Sequence, residues 1–291
     1  MAAASRVVIG QFSESAVVLA ARELGLDRDL GLDLVTTRVP SSPGQFAALS
    51  AGELDLVVTS PDNVLLYATT DAQPLGERQD VRMLRTVDRG LGLALVTRPD
   101  LERPTDLVGR ALGVDVIRSG FALLLFAMLD RLGVDRARVE FPEHGATPRR
   151  LEALLDGRID GTILNAESRV RALDRGQRAW VSSVDVSPDY LGTVLAARAD
   201  VDAGLAGRVV RLWDEATAWL LGSDPAEVGA VLARSDPTLG SPAYVALLRD
   251  DAFGLLSDPV IRPEHLAALV GIRRACGAYA PEGDLAGLVG L

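Results

Sequence analysis

Three side chains in this sequence could move a proton. His144 lies in a predicted cleft loop, where an imidazole could act as acid or base or simply hydrogen-bond a ligand. Asp62 and Glu167 occupy matching positions in two similar segments. A facing pair of carboxylates could do acid/base work or hold a cation, although carboxylates at such positions also cap helices. Anion chemistry has other candidates. Arg118, Ser119 and Gly120 stand directly before an apolar run that begins at Phe121. Ser119 suits an N-cap, the helix end offers free N–H groups and partial positive charge, and Arg118 could add a two-pronged clamp. Small polar residues gather at other strand ends: Gln11 and Ser13, Ser41 and Ser42, Thr59, Ser60 and Asn63, then Asp115, Thr147 and Asn165. Each could meet a ligand or simply cap a helix. Phe12 could flank a ligand with its ring or fill the core.

Other chemistry is excluded by what the chain lacks. Its 30 basic residues are all Arg, so no Schiff-base, pyridoxal-phosphate or P-loop lysine exists. Arg suits carboxylate, sulfonate or phosphate but is no practical base. One Cys and two His leave no intramolecular disulfide and no thiolate zinc site. No G-x-S-x-G, H-E-x-x-H, Walker A or dinucleotide glycine fingerprint is present. The expectation is no cofactor and no metal. His265 and Cys276 fall in a helical tail and read as structural.

The elements that must position the candidates come from an internal duplication. Residues 46–62 resemble residues 151–167, with Gly52 matching Gly157, Asp55 matching Asp160, Ser60 matching Asn165 and Asp62 matching Glu167. In each copy an amphipathic helix ends at a glycine, and an apolar run of strand length follows. The likeness extends backwards. Residues 16–27 match residues 124–135, as helices closed by Gly25 and Gly133, and strand candidates follow at 32–37 and 138–141. Each copy opens on its own strand, at 7–11 and 111–114. Each half therefore reads strand, helix, strand, helix, strand, which implies parallel pairing with right-handed crossovers. Extended segments at 82–87 with 91–98, and at 180–184 with 192–197, are the natural lobe crossings. From residue 201 the chain reads mainly helical. The loops after the strands, at 11–15, 40–45 and 59–63 and at 115–120, 143–147 and 165–168, should then face one cleft.

Composition bounds the partners. The chain has 291 residues, 48% of them hydrophobic, and a formal charge of −10. That balance gives a globular protein with a sizeable core and argues against nucleic acid, which needs a basic face. The longest apolar run, 121–129, is too short to span a bilayer. As written, with no charged-then-apolar leader, the sequence reads as cytoplasmic, or extracytoplasmic if a signal sequence has been removed.

The order of motifs resembles the type II periplasmic binding proteins, above all the aliphatic-sulfonate/taurine/nitrate solute-binding group, whose fold the thiamine-pyrimidine synthase family shares. The carrying residues are Gly-Glu-Leu-Asp at 52–55, Asp-Leu-Val-Gly-Arg-Ala-Leu-Gly-Val at 106–114, Ser119-Gly120, Leu-Leu-Asp-Gly-Arg-Ile-Asp at 154–160 and Tyr-Ala-Pro-Glu-Gly-Asp at 279–284. The His-rich and Cys-rich motifs of the pyrimidine synthases are absent, which argues against that enzyme. The resemblance implies a two-lobed α/β protein, each lobe a parallel-type sheet flanked by helices, with lobe 1 at 1–91 and 193–291 and lobe 2 at 92–192. The helical tail is expected on lobe 1. It further implies a hinged monomer that binds a small anionic organic molecule in the interlobe cleft, for uptake through an ABC permease, for sensing or as a carrier. The alternative is a cytosolic lyase on the same fold, a dehydratase or decarboxylase of a small carboxylic acid, using His144, Asp62 and Glu167.

Overall fold

The apolar runs that close the two repeated segments form strands with every residue buried, β3 (Leu56–Thr59) and β7 (Gly161–Leu164). The computed structural model describes residues 4–290. Before each run the chain turns at Gly52 and Gly157, at φ 75° and 70°, a conformation that costs glycine little. The matched aspartates then do the same work twice. Asp55 Oδ2 accepts from Val8 N at 2.7 Å, and Asp160 Oδ2 accepts from Ala111 N at 3.0 Å. Each carboxylate satisfies a backbone donor of its own copy's first strand, within β1 (Ser5–Gln11) at Val8 and directly before β6 (Leu112–Gly113) at Ala111.

The remaining strands are β1 (Ser5–Gln11), β2 (Leu32–Arg38), β4 (Val81–Asp88), β5 (Ala94–Thr97), β6 (Leu112–Gly113), β8 (Arg178–Ser182) and β9 (Thr193–Arg198). The first half of the helices are α1 (Ala16–Leu24), α2 (Leu26–Asp29), α3 (Ser42–Ser50), α4 (Pro61–Thr69), α5 (Gly120–Arg131) and α6 (Thr147–Leu155). After them come α7 (Ala166–Asp174), α8 (Ser183–Val186), α9 (Ala203–Gly222), α10 (Pro225–Leu232), α11 (Pro242–Leu248) and α12 (Pro263–Ala275).

Strands assemble into one sheet of order β2-β1-β3-β9-β4 and a second of order β6-β7-β5-β8. The duplicated strands pair in parallel, β1 with β2 and β3, and β6 with β7. The crossing strands are inserted antiparallel: β9 between β3 and β4, β5 between β7 and β8. Each sheet thus takes one strand that enters directly from the other sheet. Both sheets follow the same plan, so the duplication seen in sequence is also a duplication of topology.

One expected strand is reduced. The segment at 138–143 pairs with the second sheet through isolated bridges, Ala111 to Glu140 and Val114 to Glu143. Asp135 caps a 3-10 turn over Arg136–Arg138, accepting from Ala137 N at 3.0 Å, and Pro142 brings no N–H to a ladder. The helix expected at 124–135 begins earlier, at Gly120, and ends at Arg131.

The tail packs on the first sheet's layer through α9, where Val209, Leu212, Trp213 and Ala216 join Val17 and Ala20 of α1 in one core. The last helix reaches further. Leu266 of α12 packs with Val81 and Met83 of the first sheet, while Leu269 and Ile272 pack with Leu124 and Met128 of α5. α12 therefore bridges the layers of both sheets.

Candidate functional site

Helix N-termini converge where the two sheets' parallel strands end. Ser41 accepts from Gly44 N (3.3 Å) at the start of α3, Ser60 from Asp62 N (3.3 Å) at α4 and Ser119 from Ala122 N (3.1 Å) at α5. Proline stands in the first turn of α3, α4 and α6, where its missing N–H costs nothing. The remaining free N–H groups and the helix dipoles add partial positive charge here, opposed by the carboxylate of Asp115, which lines the same cavity. Between the helix ends lies a cavity of about 140 Å³.

Into this cavity the structure brings Gln11, Phe12, Ser13, Ser41, Ser42, Ser60, Asn63, Asp115, Ser119, Gly120, Thr147 and Asn165. These are candidates named from the sequence, and they come from both halves of the chain. Gln11 is the most informative of them. It is 1% exposed, and neither its Nε2 nor its Oε1 has a hydrogen-bond partner among the described residues. An amide buried without partners costs about 1–3 kcal/mol. Its donor and acceptor are both available to a molecule in the cavity.

Arg150 lines the same cavity and was not among the residues singled out by sequence. It is 1% exposed. Its guanidinium donates to Thr162 Oγ1 (3.1 Å), Gly145 O (2.5 Å), Thr147 Oγ1 (3.1 Å) and Ile163 O (3.3 Å). These neutral partners hold the side chain rigidly and leave one Nη1 hydrogen over. Arg150 forms no ion pair among the described residues. Burial pulls its pKa below the ordinary value, and the more distant charge of Asp115 partly offsets that.

The duplication sharpens the point. Arg150 precedes Leu151 as Gln45 precedes Phe46, so the two are repeat partners. Gln45 is 0% exposed and donates to Gly10 O and Val58 O, both at 3.2 Å. In each copy a buried polar side chain ties the helix to the sheet: Gln45 bonds directly to β1 and β3, and Arg150 to β7, where Thr162 Oγ1 passes the link on to Gly113 O of β6. A neutral amide accomplishes this in the first copy. The equivalent position in the first copy carries no charge, and a buried charge is costly unless something compensates it.

The sequence compares with known proteins as follows. Residues 12–212 match the family described as ABC transporter, phosphonate, periplasmic substrate-binding protein. The chain belongs to this family. No curated protein matches the sequence. Among solved structures, the alkanesulfonate-binding protein SsuA from Xanthomonas axonopodis pv. citri bound to MOPS is similar, at 17% identity, TM-score 0.77 and 99% coverage of both chains. The periplasmic aliphatic sulphonate binding protein SsuA from Escherichia coli has 18% identity and TM-score 0.68, covering 96% of this chain and 94% of that one. A Candida albicans gene product with the generic periplasmic binding protein fold has 14% identity and TM-score 0.71, with 98% and 95% covered. These likenesses give the fold, and the family match makes the chain a substrate-binding component of ABC uptake.

A substrate-binding protein needs no catalytic constellation, and the three candidate catalytic groups do not meet. Asp62 is buried and gripped by Arg273, whose Nε and Nη2 each donate to it at 2.6 Å. Glu167 lines a separate cavity with Glu14, Arg38 and Asp236, where burial raises its carboxyl pKa. His144 packs beside Gly113, its own N–H bonded to Val114 O at 2.8 Å, and does not line the ligand cavity. The lyase alternative has no support.

Besides His144, which was a binding candidate as well, two further binding candidates lie elsewhere. Thr59 is fully buried beneath the cavity, its Oγ1 accepting from Asn63 Nδ2 at 3.1 Å. Arg118 is exposed and lines a neighbouring cavity of about 590 Å³, which shares Ser42, Asn63, Val116 and Ser119 with the first. Among the described residues no group of three or more His, Cys, Asp or Glu could hold a metal, and no helix is long and apolar enough to cross a membrane.

Proposed function

We propose that the substrate is a small organic molecule carrying a tetrahedral oxyanion, a phosphonate or a sulfonate, with its anionic head against Arg150 and Gln11. The observation that carries this reading is the buried, unpaired charge of Arg150 at a position where the repeat partner is the neutral Gln45. An anionic head would supply a direct counter-charge closer than Asp115, take the spare Nη1 hydrogen and satisfy the orphaned amide of Gln11. The helix N-termini around the cavity favour the same sign of charge.

In this reading the chain has two lobes, 1–91 with 193–291 and 92–192, and closes on its cargo about the two crossings. It works as a monomer outside the cytoplasmic membrane and delivers the cargo unchanged to an ABC permease.

Calorimetry with methylphosphonate and methanesulfonate tests the reading. Arg150→Gln copies the first repeat, so the fold is expected to survive. Affinity should fall by roughly 1.5–3 kcal/mol, tenfold to more than a hundredfold. Arg118→Ala, in the same titration, should leave affinity within about twofold, because an exposed charge is screened. Phosphorus NMR after hours of incubation should recover the phosphonate unaltered. Equal affinities of wild type and Arg150→Gln would remove Arg150 from the site, and conversion of the ligand would contradict the carrier role.

A further inference from the structure

The bidentate pair between Asp62 and Arg273 lies outside the lining of the first cavity, although Arg273 lines the neighbouring one, and it is built with unusual care. Asp62 is 3% exposed and Arg273 2%. Arg273 Nη1 also donates to Tyr279 O at 3.0 Å, and Tyr279 Oη donates to Thr69 O at 2.9 Å at the far end of α4. The partners come from different parts of the fold. Asp62 opens α4, which follows β3 of the first sheet; Arg273 lies on α12, whose Leu269 and Ile272 pack with α5 of the second sheet. Cys276, at the end of α12, adds a contact from its Sγ to Leu123 O at 3.4 Å.

Asp62 also touches the second sheet's layer directly. A Cβ placed on Gly120, the first residue of α5, would lie 2.5 Å from Asp62 Oδ2 and 2.6 Å from Asp62 Cβ. Only a glycine lets the N-terminus of α5 approach this closely. The neighbours of these two residues, Ser60 and Asn63 on one side and Ser119 on the other, all line the cavity.

We propose that Arg273 is a positioning residue for the ligand site: through Asp62 it latches α4 to α12 and α5 and holds the two halves of the cavity together. This rests on the reading of that cavity as the ligand site. A carboxylate and a guanidinium buried together gain little net stability over apolar side chains of similar size. Their bidentate geometry is directional, however, and fixes one arrangement of the helices. Both residues belong to the first lobe, so the pair acts by anchoring α12 on α4, and α12 in turn carries the contacts of Leu269, Ile272 and Cys276 to α5 that parting the layers would break. A latch of this kind raises the share of molecules in the binding-competent state, and apparent affinity falls in proportion as that share falls.

The test uses the full chain and three variants: Arg273→Met, the double variant Asp62→Leu with Arg273→Met, and Gly120→Ala. The double variant removes the pair without leaving an orphaned charge. Gly120→Ala leaves the pair intact and wedges the helices apart. Small-angle scattering of the ligand-free proteins should show a larger radius of gyration in all three than in wild type. Methylphosphonate should bind at least tenfold more weakly, with far-UV circular dichroism unchanged. Wild-type scattering together with affinity within twofold in the double variant and in Gly120→Ala would overturn the latch. If wild type itself fails to bind methylphosphonate, the proposed ligand is wrong, and the scattering alone then decides the latch.

Discussion

At the scale of single residues, function and stability pull against each other in the cavity. Gln11 holds two polar atoms out of water with no partner among the described residues. Gln11→Leu should therefore raise the stability of the ligand-free protein by roughly 1 kcal/mol and weaken the binding of an oxyanion. Thermal melts and calorimetry on one pair of proteins check both halves, and a variant less stable than wild type would show that Gln11 has structural partners. Residue identity also marks where the sequence was legible. Ser41, Ser60 and Ser119 could be named because a small hydroxyl before an apolar helix has a local signature, and all three cap as well as line the cavity. Arg150 carries no such signature, since an arginine on a helix usually faces solvent. The signal that could have found it was present: extending the repeat back by one residue sets Arg150 against Gln45, two polar side chains on what should be a buried face. Arg118 drew attention by its place next to an N-cap, but whether a long side chain turns inward or outward is decided by tertiary packing, and this one is exposed.

At the scale of elements, the crossings between sheets are the places under tension. Asp88 ends β4, is 3% exposed, and accepts from Gly90 N at 2.6 Å and from Thr193 Oγ1 across the second crossing. The two crossings touch backbone to backbone: a Cβ on Gly192 would lie 2.2 Å from Gly90 Cα. Leu91 beside them has φ 47°, a left-handed conformation that strains a non-glycine residue. Burial pushes the Asp88 carboxyl from its ordinary 3.8 up to about 6, and hydrogen bonds from Thr193 and Gly90 offset only part of that. A folded-state pKa above the unfolded one means that stability is fully present below the unfolded value. It is lost as pH rises from about 4 to about 6, then levels off. Between pH 3.5 and pH 7 the stability of wild type relative to Asp88→Asn should fall by roughly 3 kcal/mol, as read from denaturant unfolding. Parallel pH profiles for the two proteins would show that Asp88 titrates normally. The crossing strands were visible in the sequence as apolar runs, but their antiparallel insertion was not, because strand direction within a sheet is a property of the whole topology. The strand expected at 138–141 failed for a local reason, a capped 3-10 turn on one side and Pro142 on the other.

At the scale of the molecule, a duplicated unit encloses a cavity lined by unlike halves. The copies share a sheet plan, a glycine turn and an aspartate that ties down the first strand, and these repeated features made the fold readable from sequence. What the copies do not share makes the site: an arginine against a glutamine, and a tail whose last helix bridges both layers. The tail's helices could be placed from their prolines and apolar spacing, but not the reach of α12 to α5, which depends on contacts far apart in the chain. The central claim is that the cavity between the sheets receives an oxyanion on Arg150. A crystal structure of the protein grown with methylphosphonate tests it most directly. The account predicts phosphonyl oxygens about 3 Å from Arg150 Nη1 and from Gln11 Nε2, with the helix N-termini of α4 and α5 facing the anion. A phosphonate seated against Arg118 in the outer cavity, with Arg150 and Gln11 untouched, would contradict it.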